Sequence, residues 1–341
     1  MRAFVLERVA DVHEEESPLR LMEVADPRPG AGEVLLRVAA CGVCHTELDE
    51  IEGRVRARMP VIPGHQVVGR VATAGPGAKR FRPGDRVGVA WIFHACGRCR
   101  YCLDGLENLC PDFLATGADV HGGYGELMKV HEDFVHPIPP QFSDVEAAPL
   151  LCAGAIGYRA LELTGLRNGE RIGLTGFGGS GHLVLKMVRH RFPDSAVYVF
   201  ARNPAEQEFA RELGAAWAGN TDERAPEALR AIIDTTPAWG PVVSALENLA
   251  PGGRLVINAI RKEERDKERL MDLDYARNLW LEREVKSVAN ITRGDVAAFL
   301  SLAAEISLRP HVEVYPFEEA NRALRDLRMK KIRGAKVLHI A

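Results

Sequence analysis

Four cysteines lie within one short stretch of the chain, HACGRCRYCLDGLENLCPD, which runs from His94 to Asp112. Two residues separate successive members of the first three, and seven precede the last; the four are Cys96, Cys99, Cys102 and Cys110. Zinc binds four thiolates at the corners of a tetrahedron about 2.3 Å from the metal, and a C-x-x-C turn lets two sulfurs converge on one ion. The spacing predicts a closed Cys₄ zinc site, which is structural because no position remains for a substrate.

Other uses of four clustered thiols remain as alternatives. Pro111 follows Cys110 as in some iron–sulfur sequences, although the other spacings differ from the ferredoxin pattern. Disulfides are disfavoured if the protein is cytoplasmic, as we expect, because thiols stay reduced there. A zinc ribbon for nucleic acid would require a basic surface, whereas this chain has a formal net charge of −3.

A second metal composition is spread over three segments, CGVCHTELDEIEG, PGHQVVG and LLCAGAIGYRAL, which contain Cys44, His65 and Cys152. Two cysteines and one histidine leave a fourth position open to water or substrate, which is the composition of a catalytic zinc site. Each residue alone is weak evidence, because a single buried cysteine usually packs as a small hydrophobic residue. Cys41 is interpreted in that way.

A glycine-rich turn lies in GERIGLTGFGGSGHLVLKMVRH, where a short strand precedes it and a helix follows. Gly176, Gly178 and Gly181 match G-x-G-x-x-G, and Gly179 is an additional glycine. This pattern permits a sharp turn, approach of a pyrophosphate and close helix–strand packing. Because the strand AVYVF follows, the context predicts a dinucleotide-binding unit.

The end of that second strand indicates which dinucleotide binds. NAD sites usually have an acidic residue there, about 20 residues after the glycines. This chain has Ala201 and Arg202 instead. An arginine pairs with a 2′-phosphate, so the sequence predicts a preference for NADP(H) over NAD(H). The alternative is an NAD enzyme in which the arginine stacks on adenine.

Length and composition are those of an ordinary globular protein. A chain of 341 residues is expected to form two domains. The small net charge gives no reason to expect a nucleic acid or membrane partner. No apolar run could span a bilayer, and the start of the chain does not resemble a signal peptide, so we expect a cytoplasmic protein.

Taken in order, these segments resemble the zinc-dependent medium-chain alcohol dehydrogenases. The likeness also includes GEVLLRVAACGVCHTEL, PVIPGHQVVGRV, RFRPGDRVGV and GGYGEL. It implies an α/β plus β fold. Residues 1–153 and 289–341 would form a GroES-like distorted β-barrel catalytic domain, with the zinc lobe at about 94–112. Residues 154–288 would form a Rossmann domain with a doubly wound parallel sheet, and the active site would lie in the cleft between the domains.

The resemblance also implies roles for individual residues. Cys44, His65 and Cys152 would hold the catalytic zinc, and the four-cysteine lobe would hold a structural zinc, giving two Zn²⁺ per chain. Thr46 would pass on the substrate proton, and His45 would contact cofactor phosphate or ribose. Further positions match a carboxylate that orients the zinc histidine and an aromatic side chain that narrows the alcohol pocket; they are Glu47 and Trp91.

Three positions depart from the family pattern. Asp49 stands where the proton relay commonly ends in a histidine, and we expect it either to end the relay as a base or to leave it truncated. Gln66 replaces a glutamate that can approach the metal. A cofactor-binding arginine near the C-terminus has no direct match, and Arg333 or Lys336 could compensate.

The predicted activity is hydride transfer between a primary or secondary alcohol and a nicotinamide cofactor, or reduction of the aldehyde. Relatives pair through their Rossmann sheets, so a homodimer or homotetramer is expected. A polyol or other specialised zinc dehydrogenase is an alternative of the same fold. A zinc-binding relative without catalysis is a second alternative, motivated by Asp49 and Gln66.

Overall fold

A computed structural model describes residues 1–329 and 334–341, and the chain divides into two compact units. The first unit comprises Met1–Ala155 with Ile291–Ala341, and the second comprises Ile156–Asn290. Arg333, which the sequence analysis assigned to the cofactor, lies outside the described residues. Within them, no helix is sufficiently long and apolar to cross a membrane.

The strands are, in chain order, β1 (Arg2–Val5), β2 (Arg20–Glu23), β3 (Glu33–Val43), β4 (Val67–Ala74), β5 (Arg86–Val89), β6 (Ile92–His94), β7 (Leu114–Ala115), β8 (Leu127–His131), β9 (Val135–Pro137), β10 (Ile172–Thr175), β11 (Val197–Phe200), β12 (Trp217–Gly219), β13 (Leu229–Asp234), β14 (Leu249–Ile257), β15 (Glu284–Ser287), β16 (Val312–Pro316) and β17 (Ala335–His339).

The α-helices are α1 (His45–Ile51), α2 (Arg100–Leu103), α3 (Asp144–Pro149), α4 (Ala155–Thr164), α5 (Gly181–Arg191), α6 (Pro204–Glu212), α7 (Gly240–Asn248), α8 (Arg293–Glu305) and α9 (Ala320–Met329). A π-helical turn, Leu150–Gly154, joins α3 to α4, and a second one spans Tyr275–Leu279. Short 3₁₀ turns occur at Glu107–Leu109, Glu132–Phe134, Lys267–Asp272 and Phe317–Glu319.

The first unit is organised around β3, an eleven-residue strand that pairs with β4, β8 and β17. The sheet runs β16-β17-β3-β4-β5-β9, with β8 added on β3. Alternate residues of β3 are fully buried, including Val34, Leu36 and Val38. This period of two is the pattern of a strand with one face in the core.

The pairing of β3 with β4 brings together the segments that carry the first site. Cys41 lies opposite Val67, and Gly42 N donates to Gln66 O at 3.0 Å. Gly42 is needed here because a Cβ would lie 2.5 Å from the Gln66 side-chain oxygen. The end of β3 and the residues before β4 therefore meet at one edge of the sheet.

The second unit contains a six-stranded parallel sheet in the order β12-β11-β10-β13-β14-β15. Strands β10 and β11 read IGLT and VYVF and are buried throughout, as expected of parallel strands covered on both faces. The strand order reverses at β10 and β13, which is where doubly wound sheets bind ligands. This sheet is the doubly wound arrangement that the sequence predicted.

Strand β15 forms one edge of that sheet, pairing with β14. All four of its residues are exposed, and Val285 retains 48% of its accessible surface. Other apolar side chains of the second unit are also exposed, among them Met271, Tyr275 and Trp280.

Candidate metal and cofactor sites

Cys44, His65 and Cys152 come together in the first unit, and we call them the Cys₂His cluster. Cys44 follows β3 and is the N-cap of α1, His65 precedes β4, and Cys152 lies in the π-helical turn Leu150–Gly154. Their ligand atoms all lie within 4.8 Å of one another. His65 Nε2 is 3.2 Å from Cys152 Sγ. The three segments named by the sequence analysis therefore converge on one point.

Glu47 connects the histidine to the helix start. Its Oε2 accepts from Cys44 N at 2.8 Å, and its Oε1 lies 2.6 Å from His65 Nδ1. The residue is fully buried. Burial by itself would lower the pKa of the His65 imidazole, but the Glu47 carboxylate raises it well above the usual value. The contact holds a proton on Nδ1 and directs Nε2 toward the cysteines, so Nε2 is the nitrogen that would bind a metal once it has lost its own proton.

The Cys₂His cluster fits a zinc ion by its donor chemistry. Two sulfurs and one neutral imidazole nitrogen are the donors of a catalytic zinc site that retains an open position. A hydrogen bond from the Cys152 thiol lowers the pKa of the Cys44 thiol well below its usual value. The thiolate is the form that binds metal, so the environment already favours one of the required ligand states.

The other residues predicted for this site differ in burial and in their contacts with the Cys₂His cluster. Thr46 is buried, and its Oγ1 lies 3.6 Å from Cys44 Sγ. The Trp91 ring meets the His65 ring edge-on, with centroids 5.0 Å apart. His45, the first residue of α1, is exposed. Cys41 is buried, which raises the pKa of its thiol well above the usual value and keeps it unreactive.

The positions that depart from the family pattern have their own partners. Asp49 is buried and accepts from Arg54 Nε at 2.7 Å, and Arg54 also pairs with Glu52. Gln66 is buried against Gly42. Arg54 could not be predicted from the sequence, because the turn that returns it to Asp49 is a property of the folded chain.

Glu50 is a second residue that sequence reasoning missed. It lies one helical turn beyond Thr46 on α1 and is 1% exposed. Neither carboxylate oxygen has a hydrogen-bond partner among the described residues. Burial, together with the nearby Glu47 charge, raises the pKa of Glu50 well above its usual value. Its spacing of four from Thr46 was the available signal, since such residues share one face of a helix.

The four cysteines of the lobe also converge. Their sulfurs lie within 4.8 Å of one another, with Cys99 and Cys102 3.5 Å apart and Cys96 and Cys102 3.9 Å apart. A tetrahedral zinc site with bonds of about 2.3 Å requires sulfur separations of about 3.8 Å. Backbone amides of Arg98 and Cys99 lower the pKa of Cys96 to about 6. Distance and donor chemistry both fit a closed zinc shell.

A third group of possible ligands, Asp11, His13 and Glu52, lies near the surface. Arg328 Nε lies 3.0 Å from His13 Nε2, and the same nitrogen lies 3.8 Å from a Glu52 oxygen. The Arg328 guanidinium thus contacts both His13 and Glu52, and its positive charge would repel a metal cation. This group is therefore not a candidate metal site.

The glycine turn in the second unit has the geometry that a phosphate-binding turn needs. Gly176 follows β10 with φ of 83°, which other residues rarely adopt. A Cβ on Gly181, the first residue of α5, would lie 2.8 Å from Gly176 O. A Cβ on Gly178 or Gly179 would meet no atom within 4 Å, so these two border open space.

The residues after β11 differ sharply in exposure. Ala201 is buried, and its carbonyl accepts from Gln207 Nε2 at 2.7 Å. Arg202 is exposed and lines a cavity of about 290 Å³. Lys336, by contrast, is buried in the first unit, where its Nζ donates to Glu313 and, at 2.6 Å, to the Tyr315 hydroxyl. It is thus committed to pairing within that unit.

The buried Glu50 carboxyl generates a prediction for the metal-free protein. Because its folded pKa lies above the unfolded value, its contribution to stability is complete at low pH and is lost as the pH rises through the folded value. Glu50→Gln should therefore be more stable than the parent at pH 8, by about 1–2 kcal/mol, and nearly equal to it at pH 4.

Thermal unfolding midpoints measured between pH 4 and pH 8 give this comparison. Glu14→Gln, which alters an exposed glutamate, is the matched control and should show no pH-dependent difference. A Glu50→Gln variant less stable than the parent at pH 8 would contradict the interpretation.

Comparisons with known proteins agree with this architecture. Residues 30–140 match a family model described as the alcohol dehydrogenase GroES-like domain. A probable alcohol dehydrogenase of Mycobacterium tuberculosis is 43% identical over 329 residues, which cover 95% of this chain and 93% of that protein. An alcohol dehydrogenase of Geobacillus stearothermophilus is 34% identical, and the alignment covers 98% of this chain and 99% of that protein.

Among solved structures, the cobalt- and zinc-bound thermostable alcohol dehydrogenase from Pyrobaculum aerophilum superposes with a TM-score of 0.87. The two are 27% identical, and the match covers 100% of this chain and 99% of that one. Together these likenesses confirm the predicted fold class, a GroES-like domain with a Rossmann domain. The chain belongs to the zinc-dependent medium-chain alcohol dehydrogenase family.

Proposed function

We propose that this protein is a zinc-dependent alcohol dehydrogenase that transfers a hydride between a small alcohol and a nicotinamide cofactor, preferring NADP(H). One observation carries the proposal. Cys44, His65 and Cys152 present their ligand atoms within 4.8 Å of one another, while Glu47 contacts the other nitrogen of His65. A Cys₂His donor set with a carboxylate that orients the histidine suits catalytic zinc.

Within this proposal the Cys₂His cluster holds the metal and Glu47 fixes the imidazole. Zinc, when bound, supplies Lewis-acid polarisation of the substrate oxygen. The Thr46 hydroxyl, buried beside Cys44, accepts the alcohol proton. Trp91 packs edge-on against His65 and restricts the space next to it, which favours slender substrates.

Asp49 ends the proton path in this proposal. Its contact with Arg54 fixes the carboxylate at the position where relatives commonly have a histidine. A carboxylate can accept a proton from a hydroxyl chain that begins at Thr46, and Arg54 orients it for that exchange. Arg54 thus acts as a positioning residue.

The four-cysteine lobe holds a second, structural zinc in the same proposal, giving two ions per chain. The support is the sulfur separations of 3.5 and 3.9 Å and the four-thiol donor set. Cysteine ligands must not be oxidised to disulfides, and thiols stay reduced in the cytoplasm, so the protein is proposed to work there.

The cofactor preference rests on the residues after β11. The glycine turn accommodates the pyrophosphate, and α5 begins there with its positive dipole end. Ala201 contributes no carboxylate that would repel a 2′-phosphate, and the exposed Arg202 provides a cation. These features favour NADP(H).

Removal of single thiols tests the zinc assignment. Cys44→Ala should abolish turnover and reduce bound zinc by about half, provided that both sites fill, because the remaining thiol and imidazole bind zinc poorly. Cys99→Ala should also lose about half of the zinc, from the other site. Zinc per chain is measured by atomic emission, and turnover by NADPH oxidation with short aldehydes.

Cys41→Ala is the matched control, since it removes a buried thiol that lies outside both clusters. It should retain full zinc content and turnover. If Cys44→Ala kept its activity, the proposed function would be wrong.

Kinetics with both cofactors test the preference. The parent enzyme should have the higher kcat/KM with NADPH, and Arg202→Ala should raise the KM for NADPH about 10- to 100-fold through loss of a charge-assisted hydrogen bond. The KM for NADH should change little. A parent enzyme with a clear NADH preference would refute this part of the proposal.

The role of Asp49 is tested by its pH profile. Asp49→Asn should lower kcat about 10-fold and shift the pH dependence of alcohol oxidation, because the amide cannot take a proton. Glu52→Gln alters the other carboxylate paired with Arg54 and is the control. If Asp49→Asn changes neither rate nor profile, the carboxylate serves only to hold Arg54.

A further inference from the structure

The cavity beside Arg202 has a second arginine in its wall. Its volume is about 290 Å³, and its lining includes Arg202, Asp222, Gly240, Ser244 and Arg269. These residues follow β11, β12, β13 and β14 in the chain, so the cavity lies at the carboxyl ends of the parallel strands. Dinucleotides bind at that edge of such sheets.

Arg269 is positioned by a short turn that Asp266 attaches to the start of α7, and not by a strand of the sheet. It lies in the 3₁₀ turn Lys267–Asp272, directly after Asp266. Asp266 Oδ2 accepts from Trp239 N at 2.8 Å and from Gly240 N at 3.0 Å. A Cβ on Gly240 would lie 3.8 Å from Arg269 Nε. The Arg269 guanidinium therefore lies in contact distance of the start of α7.

Because of the same contacts, the backbone amides at the start of α7 are not available to bind an anion in this cavity. The amides of Trp239 and Gly240 at the start of α7 are already satisfied by Asp266. A phosphate in this cavity must therefore be bound mainly by side chains. Two arginines and the Ser244 hydroxyl oppose one carboxylate, Asp222, which leaves the lining with a net positive charge.

We propose that Arg269 is a second cation for the 2′-phosphate of NADP(H) and acts together with Arg202. This inference rests on the proposed cofactor preference and adds a residue to it. Arg269 pairs with Asp272 at 2.8 Å, but both side chains are about half exposed. Exposed pairs of this kind contribute little, so a dianionic phosphate can replace Asp272 without a large penalty.

Binding of nucleotide fragments to the full-length, zinc-loaded protein tests the inference. The probes are 2′,5′-ADP, which carries the 2′-phosphate, and 5′-AMP, which lacks it, with affinities measured by titration calorimetry. Arg269→Ala should weaken 2′,5′-ADP about 10-fold and leave 5′-AMP unchanged, because one charge-assisted contact is removed. Arg269→Lys should recover part of the loss, and Asp222→Asn should strengthen binding of 2′,5′-ADP.

Arg265→Ala is the matched control, because Arg265 is an exposed, ion-paired arginine that precedes the same turn and does not line the cavity. It should change neither affinity, and circular dichroism confirms that each variant folds. If Arg269→Ala weakens both probes equally or neither, the inference is wrong.

The design separates this failure from failure of the cofactor preference. If Arg202→Ala weakens 2′,5′-ADP selectively while Arg269→Ala does not, the preference stands and Arg269 has no part in it. If the parent binds 5′-AMP as tightly as 2′,5′-ADP and Arg202→Ala has no effect, the preference itself fails, and the inference fails with it.

Discussion

One buried carboxylate determines the geometry of the site in the first unit. Glu47 gives one oxygen to the amide of Cys44 at the start of α1 and the other to the imidazole of His65. The first contact caps the helix that carries Thr46 and Asp49, and the second directs Nε2 toward the sulfurs. Helix position and ligand orientation therefore depend on the same side chain. Loss of Glu47 would therefore disturb both the start of α1 and the orientation of the imidazole.

The two thiol clusters achieve convergence in different ways. The lobe brings its sulfurs together within fifteen consecutive residues, so local turns suffice. The Cys₂His cluster depends on the pairing of β3 with β4 and on a π-helical turn far along the chain. Ligands held on helices and strands are positioned more precisely than ligands held on loops. In the proposed function, the long-range arrangement holds the catalytic zinc and the local one holds the structural zinc.

The sequence was most informative where function requires a local pattern. The lobe spacing and the glycine turn are short motifs, and the parallel sheet with the GroES-like domain confirms the predicted fold class. Side chains whose importance arises from tertiary contact could not be predicted. Arg54 reaches Asp49, and Asp266 brings Arg269 to α7, only in the folded chain. Glu50 is an intermediate case: its spacing from Thr46 indicated a shared helix face, but a glutamate on a short helix is ordinarily exposed.

The β15 edge of the parallel sheet has a consequence for the solubility of the protein. Strand β15 presents backbone hydrogen-bonding groups beside exposed Val285, and such an edge can accept a strand from another chain. A correctly matched copy would cover this edge in an ordered way. Any substitution that weakens pairing with that copy would leave the backbone groups of β15 open to non-specific strand addition. Glu284 and Lys286 on β15 place charges where they hinder such growth, so their loss would promote insoluble aggregates even if catalysis were unaffected.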